Sequence, residues 1–299
     1  METFYLILLF LFGLAVGSFL NVVILRYAPE RSVFNLNNFR GRSHCPHCGK
    51  TLRWFELLPL FSYIVQSGRC RSCDKRLTLQ YPLVEFLSGA VFAFLPFFFR
   101  NFYGFVSIFP TGAGFGSYYA FLAIWIVIML VWLVISAIDL KHYLIPNELN
   151  VFLGILGLAL VAVKSMPSAW LLPFHSSFLR HYQIIFSPNQ VVWMNHVFGA
   201  LAGLIFFGFL LAVSRGRAMG MGDVKLAAAS GLILSWPDMA LAMILAFVLG
   251  GAIGVVMLLL KKKTFRDKLP FAPIMIIGML LTFFFGFQIV SGYFGLFKI

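Results

Sequence analysis

The chain has 299 residues, 61% of them hydrophobic and only 11% charged, with a mean hydropathy of +0.93. Soluble domains carry about 25% charged residues, so this composition excludes a single water-soluble globule and makes the chain a polytopic membrane protein. Its net charge of +13 then reads as an orientation signal, and no nucleic-acid partner is expected.

About twenty apolar residues cross a bilayer, and Thr3–Leu25 is the first such stretch. The acidic Glu2 before it, its long apolar run and the basic residues that follow rather than precede it distinguish it from a cleaved signal peptide. A polar insert at 26–81 comes next, with ten of the 23 Lys and Arg and all four cysteines. Pro82–Phe99 (which holds Glu85), Tyr118–Ile138 (followed by Asp139) and the brief Leu149–Val163 are the next candidates. The loop 165–192, with Pro167, Pro173, His175 and His181, carries no reading of its own. Val191–Val213, the short Leu226–Ser235, Met239–Leu260 and Phe271–Phe294 complete the series.

These stretches predict an all-α polytopic membrane protein of about eight transmembrane helices. Its parts are a first helix at 1–25, a small cytoplasmic loop domain at 26–81 and a further transmembrane domain of about seven helices at 82–299. With eight crossings, 19 of the 23 basic residues fall on one side, including the run Lys261, Lys262, Lys263, Arg266 and Lys268. Without the Leu226–Ser235 crossing, that run would face away from the 26–76 loop. The positive-inside rule therefore puts the basic loops in the cytoplasm and both termini outside.

The cysteines read Cys45-Pro-His-Cys48 and, 21 residues later, Cys70-Arg-Ser-Cys73. Two Cys-x2-Cys knuckles at this spacing suit a tetrahedral structural zinc site. Each is followed by a turn-compatible pair, Gly49-Lys50 or Asp74-Lys75. The plainer reading, two disulfides, needs an oxidising compartment, which the cytoplasmic assignment denies. His44 and His47 are expected to be solvated flanks. Four thiolates leave no open coordination position, so the metal would stabilise a loop with little core of its own.

Three of the ten acidic residues, Glu85, Asp139 and Asp223, fall at or in the predicted spans, where acids are costly and usually functional. Asp139 and Asp223 are 84 residues apart, yet both come at cytoplasmic span ends. Two carboxylates at one depth can share a proton and activate water, as in aspartic proteases. Asp223 follows Gly220-Met221-Gly222 and is equally placed to cap a helix. An anion at a helix C-terminus opposes the macrodipole, so capping explains Asp139 poorly. Glu85, at the start of its span, reads equally as a cap or a functional acid. His142 reads as a loop histidine, and Asn195 and His196 as interfacial residues.

A wider set of motifs comprises Gly17-Ser18-Phe19-Leu20-Asn21-Val22-Val23-Ile24, the four-cysteine loop, Trp54-Phe55-Glu56-Leu57-Leu58-Pro59, and Tyr81-Pro82-Leu83-Val84-Glu85. Asp139 with Ile145-Pro146, Gly220-Met221-Gly222-Asp223 and Pro270-Phe271-Ala272-Pro273 complete it. Together they resemble the prepilin peptidase family, the type IV leader peptidases of pilus, competence and type II secretion systems. The resemblance implies a bacterial inner-membrane aspartic endopeptidase that cuts prepilin or pseudopilin leaders after a glycine on the cytoplasmic side. Asp139 and Asp223 match its catalytic aspartates and Cys45, Cys48, Cys70 and Cys73 its Zn2+ ligands; the bounds 26–81 and 82–299 then become its zinc-binding and peptidase domains. Many relatives with such a loop also methylate the new N-terminal amine with S-adenosylmethionine. That activity rests on resemblance alone, with Glu85 the candidate for contact with the methyl donor. Asn147 stands where many relatives have Asp. Glu30, Glu56, Asp74 and Glu85 are the acids available to a basic leader.

The competing classes are an ion-coupled transporter, which needs acids near span centres and an internal repeat, and a non-enzymatic zinc-bearing assembly factor. Neither transporter feature is apparent in the sequence.

Overall fold

The computed structural model describes residues 2–30, 32–35, 41–105, 107–108, 115–166, 177–187, 191–217, 219–260 and 269–296. The basic run Lys261, Lys262, Lys263, Arg266 and Lys268, together with Lys298, Pro167, Pro173 and His175, lies outside them. Among the described residues the fold is helical throughout. Seven helices are long and apolar enough to span a membrane, and two isolated bridges, His44 with Thr51 and Arg69 with Arg76, are the extended pairing present. The chain divides into two compact units, Met1–Gly112 with Trp125–Ala137, and Ala113–Ile124 with Ile138–Ile299.

In the first unit α1 (Glu2–Arg26) lies along α3 (Gln80–Tyr103). Lipid is as apolar as a leucine side chain, so membrane helices associate through close packing at small residues. Here a Cβ on Gly17 would fall 2.7 Å from the Glu85 Cα, and one on Gly13 would fall 2.8 Å from the Gly89 Cα. The pair is tied at both ends. Arg100 Nη1 meets Glu2 Oε2 at 2.7 Å, and Asn21 Nδ2 donates to the Tyr81 carbonyl at 3.1 Å. Between the two helices in sequence lie the cysteine loop, a single 3-10 turn at Trp54–Leu57 and the five-residue α2 (Phe61–Val65). The middle of α4 (Gly116–His142) also belongs here, with Trp125 and Trp132 buried edge to face.

The second unit contains the end of α4, α5 (Asn147–Ser165), the short α6 (Tyr182–Phe186), α7 (Val192–Ser214), α8 (Met221–Leu234), α9 (Asp238–Leu259) and α10 (Ala272–Leu296). Gly199 and Gly203 of α7 sit directly on Gly231 and Ala227 of α8. Gly278 of α10 rests on α9, where a Cβ would come 2.6 Å from the Ala242 carbonyl oxygen.

The expected short stretch Leu226–Ser235 is α8, which begins five residues earlier and has 14 residues, about 21 Å of rise. It nevertheless joins opposite ends of its unit. Lys225, in its first turn, bonds to Asn147 at the start of α5. At its other end, His196 Nδ1, in the first turns of α7, donates to the Leu232 carbonyl at 2.6 Å, and the Trp236 amide donates to the Asn195 carbonyl at 2.8 Å. The eight expected crossings are therefore seven full-length helices and one short one.

Asn195 and His196, expected at an interface, are buried, as are Lys164 and Asp238. Lys164 and Asp238 interact electrostatically, and Asp238 also accepts from Ser177 Oγ at 2.6 Å and the Phe178 amide at 3.1 Å. The two hydrogen bonds, with the Lys164 charge in support, offset the burial of the Asp238 carboxylate.

Candidate active site and metal centre

The two cysteine knuckles are built alike. The Cys45 amide donates to the Lys50 carbonyl at 2.9 Å and that of Gly49 to the Cys45 carbonyl at 3.0 Å. The Cys70 amide meets the Lys75 carbonyl at 3.0 Å and that of Asp74 meets the Cys70 carbonyl at 2.9 Å. Each turn closes through a left-handed residue, Gly49 at φ +70° and Asp74 at φ +55°. The His47 and Ser72 amides point at the Cys45 and Cys70 sulfurs, both at 3.5 Å. All four Sγ atoms lie within 4.8 Å of one another, with Cys45–Cys73 and Cys48–Cys70 at 4.0 Å, and all are free thiols. Zinc–sulfur bonds of about 2.3 Å in a tetrahedron put sulfurs roughly 3.8 Å apart, so the donor set fits a metal ion.

The Ser72 and Cys73 amides hold the Cys70 thiol down to about 6. Cys73, although the Lys75 amide favours its thiolate, is pushed up to about 11 by desolvation and the neighbouring thiols. Thiols this close ionise together only when a cation takes the place of their protons. His44 and His47 are exposed outside the sulfur cluster, as expected of solvated flanks.

Glu85 is buried in the second turn of α3 and caps nothing on that helix. Its Oε2 accepts the Leu60 amide at 2.8 Å, and Ser18 bonds to the same side chain. Leu60 has φ +58°, in the region that disfavours non-glycine residues. The carboxylate thus secures a strained turn at the start of α2.

In the second unit Asp139 occupies the last turn of α4, which ends where Tyr143 turns left-handed at φ +55° and its amide bonds to the Asp139 carbonyl at 2.9 Å. The Asp139 side chain is buried, and its Oδ2 accepts the Ala272 amide, the first of α10, at 3.1 Å. Asp223 lies in the first turn of α8, and its Oδ2 accepts the Gly220 amide at 3.1 Å. It closes the helix start from the third position while Gly220 is the cap residue. The two carboxylates interact electrostatically. Gly222 packs closely on the α4–α5 turn, where a Cβ would meet the Ile145 Cβ at 3.2 Å. Lys225 Nζ donates to Asn147 Oδ1 at 2.8 Å and Asn150 Nδ2 to the Gly222 carbonyl at 3.5 Å. Four helix ends, those of α4, α5, α8 and α10, thus meet around two acids.

Sequence reading found both aspartates but missed the Ala272 amide and Asn150. The Pro270-Phe271-Ala272-Pro273 motif was the available signal for the first; nothing in the sequence marked the second.

The chain matches the models of the bacterial peptidase A24 N-terminal domain over residues 11–99 and of the type IV leader peptidase family over residues 125–255. It is similar to the prepilin leader peptidase/N-methyltransferase of Bacillus subtilis, with 30% identity over 96% of this chain and 96% of the relative. The enzyme of the same description from Legionella pneumophila is 29% identical over 95% of this chain and 93% of the relative. One from Burkholderia pseudomallei is 31% identical over 92% and 83%. No solved structure matches the chain.

Proposed function

The chain belongs to the type IV leader peptidase family, and on that premise we propose that it cleaves prepilin or pseudopilin leaders after a glycine, with Asp139 and Asp223 as its catalytic pair. The observation that carries this reading is the meeting of the two acids at one end of the helical unit.

One carboxylate, ionised, takes a proton from water as the oxygen attacks the scissile carbonyl carbon. The other, protonated, gives its proton to the departing amine as the C–N bond breaks. The Ala272 and Gly220 amides hold the two carboxyl groups in place. The bare backbone at Gly220 supports the close approach of an extended peptide.

Methylation of the new N-terminal amine is the second activity, from the description shared by the relatives. S-adenosylmethionine supplies an electrophilic methyl group when bound. Glu85 serves that half of the protein by positioning: its carboxylate is committed to Leu60 and Ser18, which supports a role in shaping the loop over direct contact with the donor. Cys45, Cys48, Cys70 and Cys73 hold one Zn2+, which stiffens the loop and takes no part in either reaction. The predominance of Lys and Arg in 26–76 supports a cytoplasmic loop and active site in a multi-pass protein of the bacterial inner membrane.

The test is incubation of purified protein with a prepilin, with and without S-adenosylmethionine. Wild type should yield cleaved and then methylated pilin. Asp139→Asn and Asp223→Asn should each lower cleavage by about 10²–10⁴-fold or more yet still methylate pilin that has already been cut. Retained cleavage in either variant would falsify the paired mechanism.

A further inference from the structure

The segment from Leu57 to Gly68 carries no charged residue; Arg53 and Glu56 precede it, the Glu56 carboxylate accepting from the Arg53 amide at 2.8 Å, and Arg69, paired with Asp74 at 2.9 Å, and Arg71, over the Phe55 ring, follow. Within it, Phe61, Ile64 and Val65 are spaced i, i+3 and i+4 and so share one face of α2. That face is bare, with Phe61 62% and Ile64 71% exposed; Trp54, in the preceding turn, is 76% exposed.

The depth of α2 is fixed by α3. Glu85 lies five residues into a 24-residue spanning helix, about 7.5 Å along its axis. Its side chain holds the Leu60 amide at 2.8 Å, and Tyr63 Oη donates to the Leu77 carbonyl at 3.3 Å. α2 is thereby pinned beside the opening turns of a membrane helix whose own outer residues there, Leu79, Leu83 and Phe86, are exposed. In a spanning helix such residues face lipid, so the bare face of α2 continues a lipid-facing surface.

We infer that Trp54–Val65 is a membrane-dipping element, its aromatic and aliphatic side chains seated in the boundary layer of the leaflet that α3 enters and Arg53 at the anionic headgroups. Short apolar elements with aromatic residues and basic flanks occupy that layer, buried about 5–10 Å, and tryptophan favours it. The metal loop would then lie against the membrane rather than project from it, with Glu85 and Tyr63 as its anchors.

The full-length protein in nanodiscs of phosphatidylethanolamine and phosphatidylglycerol tests this. A photoreactive benzoylphenylalanine is placed at Trp54, Ile64 or, as control, Asp74 in the second knuckle, and adducts are read by mass spectrometry. Trp54 and Ile64 should label lipid several-fold more than Asp74, with or without prepilin. Equal lipid labelling at all three positions would overturn the inference. So would transfer of the Ile64 adduct from lipid to added prepilin, which would make this face a substrate surface. In metal-loaded Ile64→Asp protein, amide exchange across 57–66 should rise; unchanged exchange also counts against it.

Discussion

The amide of Ala272 donates a 3.1 Å hydrogen bond to the carboxylate of Asp139, joining the first residue of α10 to the last turn of α4 across 133 residues of chain. One backbone N–H thus orients an acid of the proposed catalytic pair. Proline is accepted at the first position of a helix, so Ala272→Pro removes this donor while leaving the helix able to start. A hydrogen bond to a charged group contributes about 1.5–3 kcal/mol, roughly tenfold to a hundredfold in rate. Cleavage should slow by that factor in Ala272→Pro and stay near wild type in Ala272→Ser. Equal rates for the two variants would remove the Ala272 amide from the mechanism.

Metal analysis should find one zinc per chain, and Cys48→Ser should lose it. A structural zinc site contributes on the order of 10 kcal/mol or more to folding of its domain. Stripping the metal with a chelator should therefore raise amide exchange from Ser43 to Leu77 and leave α5 and α7–α10 protected. A metal-free loop that exchanges as slowly as the loaded one would show that the thiols need no ion.

The contact of α7 with α8 has no room for a side chain at Gly231, where a Cβ would run into the Gly199 carbonyl. Gly231→Val should destabilise the protein by about 1–3 kcal/mol or more, read as a lower unfolding temperature in detergent. Gly208→Ala, further along α7, meets nothing within 4 Å and should unfold no earlier than wild type. If both variants melt alike, close approach is not what holds α8.

Lys164 and Asp238 are both buried and interact electrostatically, so Asp238→Asn would leave a buried ammonium without the carboxylate that favours it. Breaking one side of such a pair costs about 3–5 kcal/mol. The double variant Lys164→Met with Asp238→Asn should recover most of that loss in thermal unfolding. A double variant as unstable as the single would mean the two charges do not support each other.

The spans and the four-cysteine cluster were legible because each is written in local pattern: apolar length for one, Cys-x2-Cys spacing for the other. The two aspartates stood out because so few acids occur near spans at all. What escaped depends on partners distant in sequence. α8 begins at Met221, ahead of the apolar run, because Asp223 folds back onto the Gly220 amide and Lys225 reaches Asn147, so neither charge interrupts the helix. Glu85 has its meaning only through Leu60, 25 residues earlier. Lys164 and Asp238 lie 74 residues apart, and nothing local to either announces the other.

The shortness of α8 bears on how a hydrolase reaches its second substrate, water. A rise of about 21 Å falls some 9 Å short of the roughly 30 Å hydrocarbon slab, and a bilayer meets a short helix by thinning around it. Asp223 begins that helix. The two ends of α8 therefore cannot both reach the faces of that slab, and water needs a way into the cluster of helix ends around Asp223 wherever that end lies below its face.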